Sequence, residues 1–174
     1  MLVALANLQR RRRWDTAPRA PFADAGQAQR ALAEDGVAIS GLTQGDLPAL
    51  TRLADATSEL ADGLALGRAP ASHVVGIVNE LAAGCTGTVQ LVISGRAARS
   101  EMNWHDADPV AGLARRVISE FDGIDVSRLR QCQRKECDLL FFDTTRSRSQ
   151  RWHAESPCGW LERQHRRRGA AHCR

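Results

Sequence analysis

The sequence is poor in aromatic residues and almost lacks lysine. Phe, Trp and Tyr together make up 5% of the 174 residues, Tyr is absent, and Lys135 is the one Lys among 24 basic residues. Because coding bias in a GC-rich genome also produces such an Arg excess, Arg abundance alone does not indicate a nucleic-acid partner. No apolar run reaches the ~18 to 20 residues of a membrane span. The apolar start is followed, not preceded, by the basic run Arg10 to Arg13, the reverse of a secretory signal, so we expect a cytoplasmic protein.

Charge and cysteine are distributed unevenly along the chain. Apolar residues make up 43% and charged residues 25%, which is typical of a soluble globular protein. Residues 1–127 hold 12 basic against 15 acidic residues, whereas residues 128–174 hold 12 against 5. Of the five cysteines, Cys85 alone precedes residue 128. The length allows one domain plus a small module, and these two asymmetries place the module in the last quarter.

Residues 1–126 are predicted to form a mainly helical domain. Apolar residues at helical spacing, with capping and stop residues, predict helices over 2–13, 24–34, 46–64, 70–84 and 108–123. A short strand is expected over 37–42. Residues 88–93, rich in β-branched side chains, the turn at 94–95 and the alternation at 102–104 predict a small β-hairpin. The fold class is therefore α+β.

The last quarter contains a pattern of metal ligands. Cys132 and Cys137 are separated by four residues, as are His153 and Cys158, and fifteen residues lie between the pairs. Zinc takes four such ligands in a tetrahedron, and a closed set leaves no position for water, so we predict one structural zinc ion. Clustered cysteines in a reducing compartment bind metal more often than they form disulfides. The alternatives are four isolated reduced residues, or replacement of His153 by His165, His172 or Cys173.

The rest of the tail is predicted from the same spacing. Leu139 to Phe142 is expected to form a strand of a hairpin that turns around residues 144–149, and a helix is expected from Gly159 to Arg168. Cys85 has no partner in this pattern and is interpreted as a small buried hydrophobe. Cys173 is interpreted as a thiol of a disordered tail.

The tail resembles the CGNR zinc finger. The shared anchors are Leu129-Arg130, Cys132-x4-Cys137, Phe141-x-Asp143, Arg151-Trp152 and Cys158-Gly159. The resemblance implies a bacterial family whose helical N-terminal domain, often called ABATE, precedes the finger, and which is described as stress-induced transcription regulators. It implies an ABATE-like domain over residues 1–126 and a treble-clef-like or ribbon-like finger with a basic tail over residues 127–174.

Three departures from the family pattern are evident. His153 stands where the family has Cys, a conservative change for zinc. Trp160-Leu161 replaces the Asn-Arg pair that completes the family's name. The segment 2–8 is similar to the family's first helix but lacks the residues that precede it, which implies a shortened N-terminal domain.

The basic residues of the tail are candidates for contacts with phosphates. Affinity for nucleic acid comes largely from the neutralisation of phosphates, and the candidates are Arg146, Arg148, Arg151, Arg163, Arg166, Arg167 and Arg168. The last three are also explained by the dipole at a helix C-terminus, without any partner. The run Arg10 to Arg13 is expected to form the solvated face and end of the first helix.

The sequence as a whole favours a zinc-containing transcriptional regulator that binds DNA, with the helical domain as a sensor or as the interface of a homodimer. The alternatives are an adaptor that presents Trp160 and Leu161 to a protein, or an RNA-binding protein. An enzyme is not expected, because the sequence has no nucleophile elbow, phosphate-binding loop or His-Glu-x-x-His pair. His105 lies among carboxylates, but Asp106 or Asp108 is explained as a helix cap.

Overall fold

The chain folds into six α-helices and two antiparallel strand pairs among the residues that the computed structural model describes, which are 1–8, 10, 23–95, 97–105 and 108–171. The helices are α1 (Leu2–Leu8), α2 (Ala25–Glu34), α3 (Leu47–Ala65), α4 (Ser72–Ala82), α5 (Pro109–Glu120) and α6 (Trp160–Ala171). The strands are β1 (Thr86–Ser94), β2 (Ala97–His105), β3 (Leu129–Gln131) and β4 (Leu140–Phe142), and β1 pairs with β2 and β3 with β4. The predicted α+β class is confirmed. None of the helices in these ranges has both the length and the apolarity needed to cross a bilayer.

Helix α3 forms the centre of the helical body, and α1, α4 and α5 pack against it. Its apolar stripe, which includes Leu50, Leu53 and Leu60, is buried. The predicted caps of α2 and α5 are present. The Asp24 carboxylate accepts a hydrogen bond from the Gln27 amide at 2.7 Å, and the Asp108 carboxylate accepts one from the Val110 amide at 2.8 Å. The spacing of apolar residues and caps thus determines how these helices begin and pack.

The strand pair β3–β4 of the C-terminal module is part of the same core. Leu129 in β3 and Leu140 in β4 are each 1% exposed and lie among the buried residues of α1 and α3. Phe142 packs against this core from its edge. The module is therefore attached to the helical body through buried apolar contacts and not only through the chain connection.

Two predictions about the N-terminal residues are wrong. Residues 37–42 form no strand, because the Val37 amide bonds back to the Leu32 carbonyl at 2.9 Å after Gly36 ends α2 with a φ of +72°. Arg10 is not solvated: its side chain is 7% exposed and pairs with Asp62 at 2.5 Å. It also donates to the Asp138 carbonyl at 2.7 Å, so it links α3 to the module. Arg11 to Arg13 lie outside the described residues.

The pair β1–β2 is a ribbon of two nine-residue strands with its main contacts between its own strands. This confirms the predicted hairpin, with longer strands than the sequence indicated. At its base, the Arg115 guanidinium of α5 lies 4.6 Å from the centre of the Trp104 ring, which is a cation–π contact. The side chains of β2 are exposed along its whole length.

Candidate metal centre

Cys132, Cys137, His153 and Cys158 converge at one point of the module. Their ligand atoms all lie within 4.8 Å of one another, and Cys137 Sγ is 3.4 Å from His153 Nδ1. Tetrahedral zinc with Zn–S distances of ~2.3 Å and Zn–N distances of ~2.0 Å places ligand atoms roughly 3.5 to 4 Å apart. The four side chains therefore fit one zinc ion with small adjustments. Three thiolates and one imidazole are a closed structural set, so the site can hold zinc as a folding element.

Two local structures position the ligands. Cys132 follows β3, and its amide bonds to the Leu139 carbonyl at 2.9 Å, while the Cys137 amide bonds to the Arg134 carbonyl at 2.9 Å. These bonds close the turn that reverses the chain between β3 and β4. Cys158 lies in a helical turn directly before α6. The hairpin thus supplies one pair of ligands, and the segment that leads into α6 supplies the other.

The three thiols lie in a buried environment, in which a bound cation would stabilise their thiolate form. Cys132, Cys137 and Cys158 are at most 5% exposed, and Leu139, Phe141 and Trp152 surround them. Burial raises the pKa of the Cys137 thiol to about 12 and also raises the pKa of Cys158, which the Arg134 guanidinium partly opposes. Thiolates are therefore unfavourable here unless a positive charge joins them. Zinc supplies that charge, and Arg134 offsets the remaining charge of −1 on three thiolates with one Zn²⁺.

Gly159 leaves room for an aromatic ring next to the site. A Cβ at this position would lie 3.1 Å from Cε3 of Trp152 and 2.5 Å from a carboxylate oxygen of Glu155. Any side chain would push the ring that covers the thiols aside by a few tenths of an ångström. This close approach is a physical reason for glycine directly after Cys158.

A buried carboxylate orders the loop between the two ligand pairs. Asp143 is 0% exposed and accepts hydrogen bonds from the Thr145 amide at 2.9 Å and the Gln150 amide at 3.0 Å. The Thr145 hydroxyl donates to the same carboxylate and holds the pKa of Asp143 below its usual range. Arg128 donates to the carbonyl oxygens of Asp143 and Thr145, both at 2.9 Å. Sequence reasoning assigned Asp143 no role, although an Asp two residues before a Thr is a common turn former.

The structure corrects the predicted hairpin of the tail. The partner of β4 is β3, which precedes Cys132, and no strand follows the loop 143–150 in the described part of the tail. The register pairs Leu129 with Phe142 and Gln131 with Leu140. The reversal of the chain at the first ligand pair, not the loop, therefore joins the two strands.

The seven candidate phosphate-binding Arg residues differ in the partners of their side chains. Three have carboxylate partners: Arg148 pairs with Asp125 at 3.0 Å, Arg166 with Glu162 at 3.6 Å, and Arg163 with Glu155. Arg151 donates to the side chain of Gln133 at 2.7 Å. Arg146, Arg167 and Arg168 are exposed, and no carboxylate of the described residues pairs with Arg146 or Arg167.

The alternative ligands do not join the site. His165 is exposed on α6 and lies outside the group of four, whereas His172 and Cys173 lie outside the described residues. Cys85 is half-buried and not buried as predicted, because it follows Gly84 in the short link between α4 and β1.

The comparison with protein families agrees with this geometry. The family model of the CGNR zinc finger matches residues 128–170. A search among curated proteins finds no match to the chain. The matched stretch, residues 128–170, thus resembles the CGNR zinc finger and contains the four side chains that could hold one zinc ion.

Proposed function

We propose that the protein is a zinc-containing transcriptional regulator that binds DNA through the basic surface of its CGNR zinc finger. The observation that carries the proposal is the concentration of exposed Arg side chains on a module that a metal ion can stabilise. Residues 128–174 hold 12 basic against 5 acidic residues, and the rest of the chain is mildly acidic. Such a charge distribution favours binding of a polyanion through the release of counterions.

Two structural features supply a surface for phosphates. Arg163, Arg166 and Arg167 follow the i, i+3, i+4 spacing that places side chains on one face of a helix, and all three are exposed on α6. Arg146 is exposed on the loop that Asp143 orders. Because a phosphate must replace a carboxylate at Arg148, Arg163 and Arg166, Arg146 and Arg167 are the strongest candidates for phosphate contacts.

A salt titration of DNA binding tests the proposal. Each phosphate contact contributes about −0.9 to the slope of log K against log salt on duplex DNA. We expect the zinc-loaded wild-type protein to bind genomic duplex fragments with a slope of about −4.5, as for about five phosphate contacts, and a double variant Arg146→Gln/Arg167→Gln to reduce its magnitude by about 2. Arg68→Gln is the matched control, because Arg68 is an exposed Arg of the acidic helical body. A wild-type slope near zero would contradict DNA binding.

A protein-interaction adaptor is the second candidate. Trp160, the first residue of α6, is 53% exposed, which is high for a Trp. It stands, with Leu161, where the finger's namesake Asn-Arg pair is expected. If Trp160→Ala leaves the DNA slope unchanged but abolishes a protein contact, the adaptor role gains support. Tighter binding to RNA than to duplex DNA in the same titration would instead favour an RNA-binding protein.

A further inference from the structure

The β1–β2 ribbon has one apolar face and one polar face. Side chains on a strand alternate between faces, and directly paired residues share a face. The apolar face is formed by Val89, Leu91, Ile93, Ala98, Met102 and Trp104. Its register sets Met102 opposite Val89 and Trp104 opposite Gly87, and a Cβ at Gly87 would lie 2.9 Å from the Trp104 ring and 3.0 Å from the Met102 sulfur. Met102 and Trp104 thus close over Gly87 on this face.

The charged side chains of the described ribbon lie on its opposite face. Arg99 and Glu101 are paired with Val92 and Gln90 in the register, and they form an ion pair with each other at 3.2 Å. On the apolar face, Ser100 is the single polar side chain among the described residues. The one guanidinium that the structure describes against this face is that of Arg115, over Trp104 at the base, so an occupant can cover the rest of the face without desolvating a charge.

The apolar face is open to solvent. The exposed fractions are 68% for Val89, 75% for Leu91, 67% for Ile93, 43% for Met102 and 40% for Trp104. An isolated two-stranded ribbon is marginally stable in water and needs a partner for its apolar side. Apart from the contact between Arg115 and Trp104 at the base, the described elements do not supply that partner.

We infer that the apolar face is a homodimer interface, in which two copies pack their ribbons face to face about a two-fold axis. The two ribbons have the same length of ~30 Å and the same twist, and twisted faces of this kind pack with their strands about 30° apart. A two-fold contact brings the same patch of each copy together. A membrane-binding surface would carry several basic residues next to the apolar ones, whereas in the described part of the chain Arg99 lies on the other face and Arg115 alone contacts this one, at its base.

The area of the apolar face sets the expected strength of the dimer. The five large side chains of this face are 40 to 75% exposed, which leaves roughly 300 Å² of apolar area per copy, the size of a functional patch on a monomer. Two faces together bury roughly 600 Å² plus the strand edges, which is below the ~1,200 Å² of a stable interface, so the dimer is weak and reversible. We therefore expect a dimer with a Kd of about 1 to 100 μM. It gives the homodimer expected from the sequence a specific surface, and DNA binding by the finger, which is the proposed function, does not depend on it.

Sedimentation of the full zinc-loaded chain at increasing concentration tests the inference. We expect the mass to rise from 19.0 kDa toward twice that value between about 1 μM and about 1 mM. Leu91→Glu should raise the dimer Kd at least tenfold, because it places a charge in the centre of the interface. Gln90→Glu, the same charge one residue away on the opposite face, is the matched control and should leave the Kd unchanged.

The outcomes separate the occupants of the apolar face. Ile93→Glu repeats the test at a second exposed position, and zinc content with circular dichroism verifies that the variants fold. A wild-type chain that stays monomeric throughout, or equal effects of Leu91→Glu and Gln90→Glu, would overturn the inference. Binding of the monomer to anionic lipid vesicles would also overturn it, in favour of a membrane surface. None of these results bears on the salt slope of DNA binding, so failure of the dimer and failure of the proposed function are distinguishable.

Discussion

The side chain of Asn7 bonds both backbone polar groups of Leu140, 133 residues further along the chain. Asn7 Nδ2 donates to the Leu140 carbonyl at 2.9 Å, and Asn7 Oδ1 accepts from the Leu140 amide at 2.9 Å. The side-chain amide of Asn7 thus makes the two hydrogen bonds that a neighbouring strand would make to this edge of β4. Both groups are buried, so α1 and the zinc finger meet in one packed unit.

Replacing Asn7 by Ala should destabilise the whole chain. The change leaves the buried amide and carbonyl of Leu140 without partners, at about 1 to 3 kcal/mol for each group. We expect the free energy of unfolding of the zinc-loaded protein to fall by about 2 to 4 kcal/mol, measured by denaturant titration. The control is Asn79→Ala, at an exposed position of α4. This change should alter the free energy of unfolding by less than about 0.5 kcal/mol. Equal effects of the two changes would contradict the role of Asn7.

The start of α3 should show an acid-sensitive contribution to stability. The Asp46 carboxylate accepts hydrogen bonds from the Thr43 amide and hydroxyl, both at 2.7 Å, and the hydroxyl bond is the larger cause of its lowered pKa. A carboxyl whose pKa is lower in the folded state stabilises the fold above its unfolded pKa of about 3.9, and that stabilisation is lost as the pH falls through the folded pKa.

Thr43→Val removes the hydroxyl donor and keeps the branched shape. We therefore expect the difference in unfolding free energy between wild type and this variant to be constant from about pH 7 to about pH 5 and to shrink below about pH 4. Denaturant titrations at each pH measure the difference. Thr86→Val, an exposed position of the ribbon, should give a difference that does not vary with pH. A difference for Thr43→Val that is equally constant would refute the assignment.

Local patterns in the sequence were sufficient where the structure depends on local contacts. Asp24 and Asp108 cap the helices that they were expected to begin, and the group of four ligands was predicted from two short spacings. The partner of β4 was not predicted. The turn between Cys132 and Cys137 brings β3 beside β4, and this turn is closed by hydrogen bonds between backbone groups. Such bonds do not depend on side-chain identity, so the sequence carries no pattern for them.

Arg10 is a second residue whose contacts could not be predicted from local sequence patterns. A run of four Arg residues is typical of a solvated face, and that was the prediction. Its partners, the Asp62 carboxylate of α3 and the Asp138 carbonyl of the finger, are 2.5 and 2.7 Å away in space. The Asp138 carbonyl is 128 positions away in the sequence, and a distant carbonyl has no sequence signature. A buried cation with a carboxylate partner is found only once the helices are packed.

The finger has two separate sets of buried residues, and they should respond differently to loss of the metal. Leu129 and Leu140 belong to the core of the helical body. Cys132, Cys137 and Cys158, with Leu139 and Phe141, form a second and smaller cluster. Structural zinc contributes about 10 to 16 kcal/mol to the folding of such sites, and the second cluster has few apolar residues to replace it.

Removal of zinc should therefore unfold the second cluster and leave the first in place. In hydrogen exchange with a chelator present, we expect the amides of residues 143–168 to lose protection, whereas the Leu140 amide, held by Asn7, and the amides of α3 keep theirs. Cys137→Ser should reproduce this pattern and lose the one equivalent of zinc found by elemental analysis. Cys85→Ser, outside the site, should retain both the metal and the protection. Loss of protection in α3 on chelation would mean that the metal holds the whole chain together, and unchanged protection in residues 143–168 would mean that the finger folds without it.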